Sequence, residues 1–533
     1  MALLVIAVAA LYGQFLWNPI VFDDLPFFMV DNEGRQPVSN YHFAFLELRS
    51  LPYATLAWTQ AWFGLGLFSF RLGNLLLHAA VVLVLFFFLA ALFAAVLGEH
   101  DKNGLSAHRA AFFAALLFAL HPVATYAAGY LVQRTIIMAT LFCLLAMLSY
   151  VHGSVRQKSL WLWMSIPFYY LAVFSKEHAI ILPAVLVALT VLLHDDWRAK
   201  LRQRWTIFTV LAGIAVIVLL AKISILGSVY EINAPEMLKK NESELAYPLS
   251  ILTQSALFFK YALLWIFPNP AWMSIDMREP FARSLFSPYL LALGGFLAWG
   301  GGAFWLLLKR RRAGLVGFAM MFPWLMFFTE LSSVRIQEEF VLYRSYLWAA
   351  GAFSLLPILF GGINVRMSSF ILGAIALAMF LISMERLMTF SHPILLWDDA
   401  EKLVKGREDL PGAYRIYYNR GTELINIDRP DEGIADLKLA IALSKDFAEA
   451  HGNMGAGYIK KGDWQNAIIS FSAAIEIARK VESYPRARYF YGRAIAFTKM
   501  GDMQKSQADY KESCALAGQG CENLPVGNMT APP

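Results

Sequence analysis

The sequence predicts an all-α protein in two parts: a polytopic helical membrane domain, then a short α-solenoid. Three observations predict it. First, 58% of the 533 residues are hydrophobic and 16% charged, against roughly 45–50% and 25% in soluble domains. Second, the apolar residues gather in long runs such as 71–97, 205–226, 288–308 and 369–385, and about 20 apolar residues suffice for a helix to cross a bilayer. Third, beyond residue 396 charges become frequent and a helical repeat sets in.

By that length rule the chain holds about 11 spans, with cores at 2–19, 71–97, 109–124, 134–151, 160–175, 178–194, 205–226, 288–308, 313–330, 345–361 and 369–385. The run from Leu3 to Trp17 lacks a charged leader and a small-residue cleavage motif, so it reads as a retained first helix. The net charge of +6 sits in short loops: Lys102 and Arg109, Arg156 and Lys158, Arg198 to Arg204, Lys309 to Arg312, and Arg366. All fall on one side of the predicted spans, which makes that side cytoplasmic and argues against nucleic-acid binding. The apolar segment 250–267 would reverse this pattern if it spanned, so it is assigned as a re-entrant or interfacial helix with Lys260 snorkelling. The opposite side then receives loops 20–70 and 227–287, the loop 331–344 and everything after 386. Function is sought there.

The C-terminal part repeats itself. "YYNRGTELINIDRPDEGIADLKLAIAL" aligns with "HGNMGAGYIKKGDWQNAIISFSAAIEIA" and "YFYGRAIAFTKMGDMQKSQADYKESCALA". Gly421 and Gly455 stand 34 residues apart, while Gly462 and Gly501 stand 39 apart, so an insertion near "VESYP" precedes the third unit. A 34-residue helix pair is the tetratricopeptide repeat (TPR), whose units must stack to bury their apolar faces. The domains are therefore 1–386 (membrane), 387–412 (connector), 413–518 (about three repeats) and 519–533 (tail). Of three cysteines, Cys143 lies in an apolar helix; Cys514 and Cys521 flank a Gly-rich turn at a spacing compatible with a disulfide in an oxidising compartment.

Five motifs bear ionisable groups where predicted spans meet the outer side. Asp23 and Asp24, in "FDDLPFF", are either a solvated loop start or a functional pair, able to act as general base or to ligate a divalent cation. In "LHPVATYAAGYLVQRT", His121–Pro122 breaks an apolar helix and Arg134 opens the next. An Arg at membrane depth marks a functional site unless it snorkels. "FSKEHAIILP" places Lys176, Glu177 and His178 at a hairpin tip, and "EEFVLYRSYL" brings Glu338, Glu339 and Arg344 to a helix start. "FRLGNLLLHA" carries Arg71, Asn74 and His78, the last two on one helix face. Arg134, Lys176 and Arg344 are then cations on the same side as the Asp pair, suited to gripping a lipid-linked phosphate.

The joint order of these motifs resembles the transmembrane and tetratricopeptide-repeat (TMTC) family and its bacterial relatives, within the GT-C glycosyltransferase superfamily. The ordered segments are the Asp pair, "RSLPYATLAWTQAWFG", "FRLGNLLLHA", "LHPVATYAAGYLVQR", "SKE", "QSALFFKYALLWIFPNPAWMSID", "EEFVLYRSYL" and the repeats, together covering essentially the whole chain. The resemblance implies a GT-C-like membrane domain and a polyprenyl-phosphate-linked sugar donor. It implies a catalytic carboxylate at Asp23 or Asp24, and transfer to a protein hydroxyl or an envelope glycan. It places Arg134 at the Arg closing the His-Pro motif. The sequence departs from the family at Tyr126, where relatives carry Glu, and at Gln133, where they carry Gly.

On this reading Asp23, less so Asp24, acts on the acceptor hydroxyl in an inverting transfer. Arg134, Lys176 and Arg344 hold the donor phosphate, with His121, Glu177, Arg71, His78 and Glu339 in support. The apolar residues of 250–267 hold the polyprenyl chain, and the repeats engage the acceptor. No cofactor is required, with a divalent cation on the Asp pair as the alternative. The expected location is a bacterial inner membrane, with the repeats in the periplasm. The competing reading is a non-enzymatic TPR scaffold for envelope or pilus assembly, which needs neither the cations nor the Asp pair. A transporter is disfavoured because ionisable residues are sparse inside the spans.

Overall fold

The computed structural model describes residues 1–28, 37–98, 105–223, 226, 245–336, 338–481, 486–517 and 520–523. Lys102, residues 227–244 of the expected outer loop, the "ESYP" insertion and the tail from 524 lie outside them. The chain divides into two compact units, Met1–His392 and Pro393–Pro533. Among the described residues there are helices and one isolated bridge, between Met277 and Phe340, but no strand.

Among the described residues of the first unit six helices are long and apolar enough to cross a membrane: Leu67–Leu97, Leu131–Arg156, Ala246–Ile266, Tyr289–Leu308, Arg311–Ser332 and Val365–Thr389. Counting each bent pair as one span makes up to eight, and Ala2–Phe15, Ser159–Ser175 and Glu177–Leu193 are shorter apolar helices. Burial orders these helices. In the most apolar 18-residue stretch of Leu131–Arg156, 78% of the residues are buried, and in that of Tyr289–Leu308 only 22%, so the former is a central helix and the latter presents most of its apolar surface outward. A bilayer would cover such a face; water would not.

Local chemistry sets the boundaries. Ser106 accepts the N–H of Arg109 at the start of Ala107–Ala119, and Asn364 accepts that of Met367 at the start of Val365–Thr389, each an N-cap. Gly98 ends Leu67–Leu97 at φ +84°, a conformation glycine adopts without strain. His121–Pro122 bends its pair of helices by 54°.

Two segments differ from expectation. The segment expected to be re-entrant, 250–267, lies in one continuous 21-residue helix, Ala246–Ile266, long enough to span. The expected span 345–361 breaks instead into Ser345–Ala352, a 3₁₀ turn and Leu356–Leu359, where Phe322 packs against Gly351 and Pro357 opens the last turn.

The second unit comprises Pro393–Val404 and three helix pairs: Ala413–Asn426 with Pro430–Leu443, Ala448–Lys461 with Trp464–Val481, and Ala487–Met500 with Met503–Ala517. Pro393–Val404 falls in what the sequence assigns as connector; its Asp398 and Glu401 pair with Arg420 of the first repeat. Small residues set the pair spacing. A Cβ on Gly421 would come within 2.8 Å of the Gly433 carbonyl oxygen, and Phe471 fills the space that side chains at Gly455 and Gly492 would take. Arg420 forms a bidentate pair with Asp436, at 2.7 and 2.9 Å, and Arg493 the equivalent pair with Asp509, at 2.7 and 2.8 Å. Both span 16 residues, so the first and third units share one internal clasp.

Candidate active site

The site is assembled by the turns that join apolar helices at one end of the first unit. After Ala2–Tyr12 the chain enters a 3₁₀ turn, Phe22–Asp24, in which neighbouring carboxylates have opposite fates. Asp24 is fully buried and accepts the backbone N–H groups of Val132 at 2.8 Å and Leu131 at 3.4 Å. Burial pushes its carboxyl up to about 7, against the pull of Arg71 and these donors. It thus pins the turn Leu131–Gln133 that opens the central helix. Arg71 holds the same region from behind, donating to the carbonyls of Asn18 and Gly129, each at 2.8 Å, and of Pro19. The Asp23 N–H donates to the Tyr130 hydroxyl at 2.6 Å, and Asp23 is left lining a cavity of about 360 Å³.

That cavity is rich in cations. Its lining residues include Arg49, Lys176, Arg335 and Arg344, against the carboxylates of Asp23, Glu177 and Glu338, with Phe27, Tyr53 and Tyr343 as aromatic walls. Lys176 sits in the turn after Ser159–Ser175. Its ammonium donates to Gln133 Oε1 at 3.2 Å and Thr135 Oγ1 at 3.4 Å and lies 5.0 Å above the Tyr343 ring. Burial first, then neighbouring Arg49 and Arg344, pull it down to about 7. Arg49 grips Glu177 with two hydrogen bonds. Arg344 donates to Glu330 at 3.2 Å and to the Glu338 carboxylate at 3.0 Å. Glu330, 1% exposed, also meets Arg335 at 3.6 Å and His178 Nε2 at 2.9 Å. Each of these cations thus has a hydrogen-bond or ion-pair partner that fixes its position at the cavity.

Of the residues singled out in the sequence, Asp23, Gln133, Lys176, Glu177, His178, Glu338 and Arg344 meet at this cavity. Asp24, Arg71, Asn74, His78, His121, Arg134 and Glu339 are not among its lining residues. Arg134 is a correction: its guanidinium is spent on Asn74 Oδ1 and the Phe70 carbonyl, both at 2.8 Å, and on Thr55 and Thr59. It ties Thr55, Thr59, Phe70 and Asn74 together and is not among the cavity's lining residues. Asp24 and Arg71 are corrected likewise to pins of the loop, as above. His78 bonds the Tyr346 hydroxyl at 2.7 Å and the Ala119 carbonyl. His121 caps its own turn, accepting from Val123 and stacking on Trp265 with ring centroids 4.2 Å apart. Glu339 is buried beside Arg278 and accepts the Glu279 N–H at 3.1 Å; burial pushes it up to about 8.

Sequence reasoning passes over Arg49, Glu330 and Arg335. Arg49 opens "RSLPYATLAW", and Glu330 and Arg335 frame "ELSSVR" at a span end, so their charge at an apolar boundary was the usable signal. Gln133, where the sequence departs from the family it resembles, touches Lys176 in the cavity wall. Among the described residues no group of three or more His, Cys, Asp or Glu is placed to hold a metal ion. In the second unit Cys514 and Cys521 form a disulfide, with Cα atoms 5.0 Å apart.

Comparison with known proteins bears on the second unit. The tetratricopeptide repeat family matches residues 414–447 and, in a second form, 446–519. These residues are TPR repeats, and the class they define is that of protein-interaction modules. No curated protein matches the chain. Among solved structures, a chain in the "Crystal structure of APC/C hetero-tetramer Cut9-Hcn1" is similar at 13% identity over 89% of this chain and 81% of that one, with a TM-score of 0.23. That score is too low to carry an argument.

Proposed function

We propose that the first unit is a membrane glycosyltransferase of GT-C type that takes a sugar from a polyprenyl-phosphate donor. The acceptor is a protein hydroxyl or an envelope glycan at the extracytoplasmic face of a bacterial inner membrane. The observation that carries the reading is the convergence of Asp23 with Lys176, Arg335 and Arg344 on one cavity in an otherwise apolar helical unit. Buried cations are costly unless paired or put to use, and these surround a space of ligand size.

In the proposed step the acceptor oxygen attacks the anomeric carbon and its proton passes to the Asp23 carboxylate. The anomeric carbon–oxygen bond breaks, and its electron pair leaves with the polyprenyl phosphate. Lys176, Arg335 and Arg344 offset the charge that grows there. Attack opposite the leaving group inverts the anomeric centre. Asp24 keeps Asp23 in place without touching the ligand. The repeats recruit or orient the acceptor.

The second reading, a TPR scaffold without catalysis, is favoured by the repeats themselves, which support protein interaction. Purified full-length protein supplied with polyprenyl-phosphate hexose and a hydroxyl acceptor separates the two. Transfer lost on Asp23→Asn supports the enzyme; binding of partners without any transfer supports the scaffold.

A further inference from the structure

The end of the first unit away from the cavity is basic. The central helix Arg134–Arg156 opens beside the cavity at Gln133 and ends at Arg156. Its 23 residues cover about 35 Å, close to the roughly 30 Å hydrocarbon core of a bilayer. Three turns meet at the far end: 156–158 after the central helix, 194–204 around the short helix Trp197–Gln203, and 309–312 after Tyr289–Leu308. Two arginines tie them together. Arg204 is buried and donates to the Tyr150 hydroxyl at 3.1 Å and to Ser154 Oγ at 2.9 Å, both on the central helix. Arg310 pairs with Asp195. Trp197–Gln203 is bent by 70° from Trp205–Ala221, so where the longer helix crosses a bilayer the shorter one lies close to the plane of its surface.

Six cations on these turns are exposed: Arg156 and Lys158, Arg198 and Arg202, Lys309 and Arg311. Among the described residues none of the six has a carboxylate partner. The turns hold two acids, Asp195 and Asp196, and Arg310 takes the first. Exposed arginines of the repeats, by contrast, find carboxylates: Arg429 pairs with Glu432 and Arg486 with Glu449. Backbone strain gathers at the same turns. Gln157, Arg310 and Arg311 hold φ at +53°, +55° and +47°, values that glycine adopts freely and other residues only at a cost. Each turn also adjoins an apolar helix with an exposed tryptophan, Trp161, Trp205 or Trp305, and Lys309 lies 3.6 Å over the Trp305 ring. Tryptophan favours the boundary between hydrocarbon and headgroups, which sets the cations at headgroup depth.

We infer that this end of the first unit binds the headgroups of anionic phospholipids in the leaflet it faces. A phosphodiester supplies the charge that the turns lack, and arginine meets its oxygens in bidentate fashion. Clusters of about four to eight cations beside membrane spans attract anionic lipid in this way. The tryptophans and the 70° bend favour a lipid over a soluble anion, because they hold the cations against a bilayer surface. The inference needs the first unit to span a membrane and is independent of the reaction proposed for the cavity.

The test uses full-length protein in detergent, with bound phosphatidylglycerol and phosphatidylcholine compared by native mass spectrometry. Phosphatidylglycerol should be retained in preference, and the triple variant Arg198→Gln, Arg202→Gln, Arg311→Gln should bind it more than about tenfold more weakly, since one cation near an anionic surface is worth about fivefold. Phosphatidylcholine should be unaffected. A control triple in the repeats, Lys445→Gln, Lys480→Gln, Lys499→Gln, makes the same change in net charge and should leave both lipids unchanged. Equal retention of the two lipids by the unmodified protein, phosphatidylglycerol binding unmoved in the first triple, or the same loss in the control overturns the inference. Displacement of the lipid by glycerophosphoglycerol at equal concentration would identify a soluble phosphodiester as the ligand and also overturn it. Should the first triple not fold, hydrogen exchange of the unmodified protein in nanodiscs decides. Residues 156–158, 196–203 and 309–312 must be more protected in phosphatidylglycerol than in phosphatidylcholine, and equal exchange in the two overturns the inference.

Discussion

Replacing the two adjacent aspartates should produce two unlike defects. Asp23 lines the cavity, whereas Asp24 is fully buried and holds the N–H groups of Leu131 and Val132. Asp23→Asn removes the proposed proton acceptor without disturbing the backbone hydrogen bond from Asp23 to Tyr130. A general base supplies about 10²–10⁴-fold, so transfer should fall by that factor at unchanged thermal stability and donor affinity. Asp24→Asn leaves one oxygen where two served, and turns an amide group toward the second N–H. An unmade hydrogen bond of a buried group costs about 1–3 kcal/mol, so this variant should unfold at lower temperature and lose activity only as far as the turn Leu131–Gln133 loosens. The assay is product mass spectrometry with purified protein, polyprenyl-phosphate hexose and a Ser/Thr peptide, alongside thermal unfolding. Full transfer by Asp23→Asn together with abolished transfer by a stable Asp24→Asn would refute the assignment within the pair. Full transfer by both would refute the mechanism.

Three further outcomes are expected. Lys176 titrates near 7 in the free cavity and is cationic below that value, while a sugar phosphodiester keeps one charge across the range. Its binding should therefore tighten from pH 8 to pH 6, by up to about tenfold, and Lys176→Met should flatten that dependence; a profile unchanged in the variant counts against the contact. Arg134→Ala should lower stability by more than about 2 kcal/mol, since it strands buried acceptors on Asn74 and Phe70. If the protein stays as stable but loses donor affinity, Arg134 touches the ligand after all. Finally, a reporter fused after Pro533 should be active only when it is outside the cytoplasm, and Cys514 and Cys521 should resist alkylation until reduced. A cytoplasm-active reporter, or free thiols in protein taken from cells, would place the repeats on the other side.

Much of the fold was legible because it is written in periodicity. The 34-residue spacing of Gly421 and Gly455 locates the repeats, and the apolar runs locate the long helices. Segment 250–267 was assigned as re-entrant because a span there would reverse the side of Lys309–Arg312; the structure makes it part of one continuous helix, in which Gln254 donates to the Glu339 carbonyl and Lys260 pairs with Glu279. Tertiary partners of that kind cannot be read from a single segment. The site was half legible for the same reason. Charge at the end of an apolar run marks Lys176, Arg344 and Arg134 alike, but whether a guanidinium faces a cavity or a ring of carbonyls depends on which turns meet. Arg134 meets Thr55, Phe70 and Asn74, from 60 to 79 residues away in sequence. Arg344 meets Glu330 and the cavity. Glu330, the carboxylate that His178, Arg335 and Arg344 share, carried no local mark beyond its charge.

The central claim is that this cavity moves a sugar from a lipid phosphate to a hydroxyl. It is tested most directly by reconstituting the full-length protein in nanodiscs with polyprenyl-phosphate hexose and a hydroxyl acceptor, and following both products by mass spectrometry and the anomeric configuration by NMR. The account predicts one polyprenyl phosphate released per hexose transferred, with the new glycosidic bond inverted and turnover lost in Asp23→Asn. Retention of configuration, or turnover indifferent to Asp23, would contradict it.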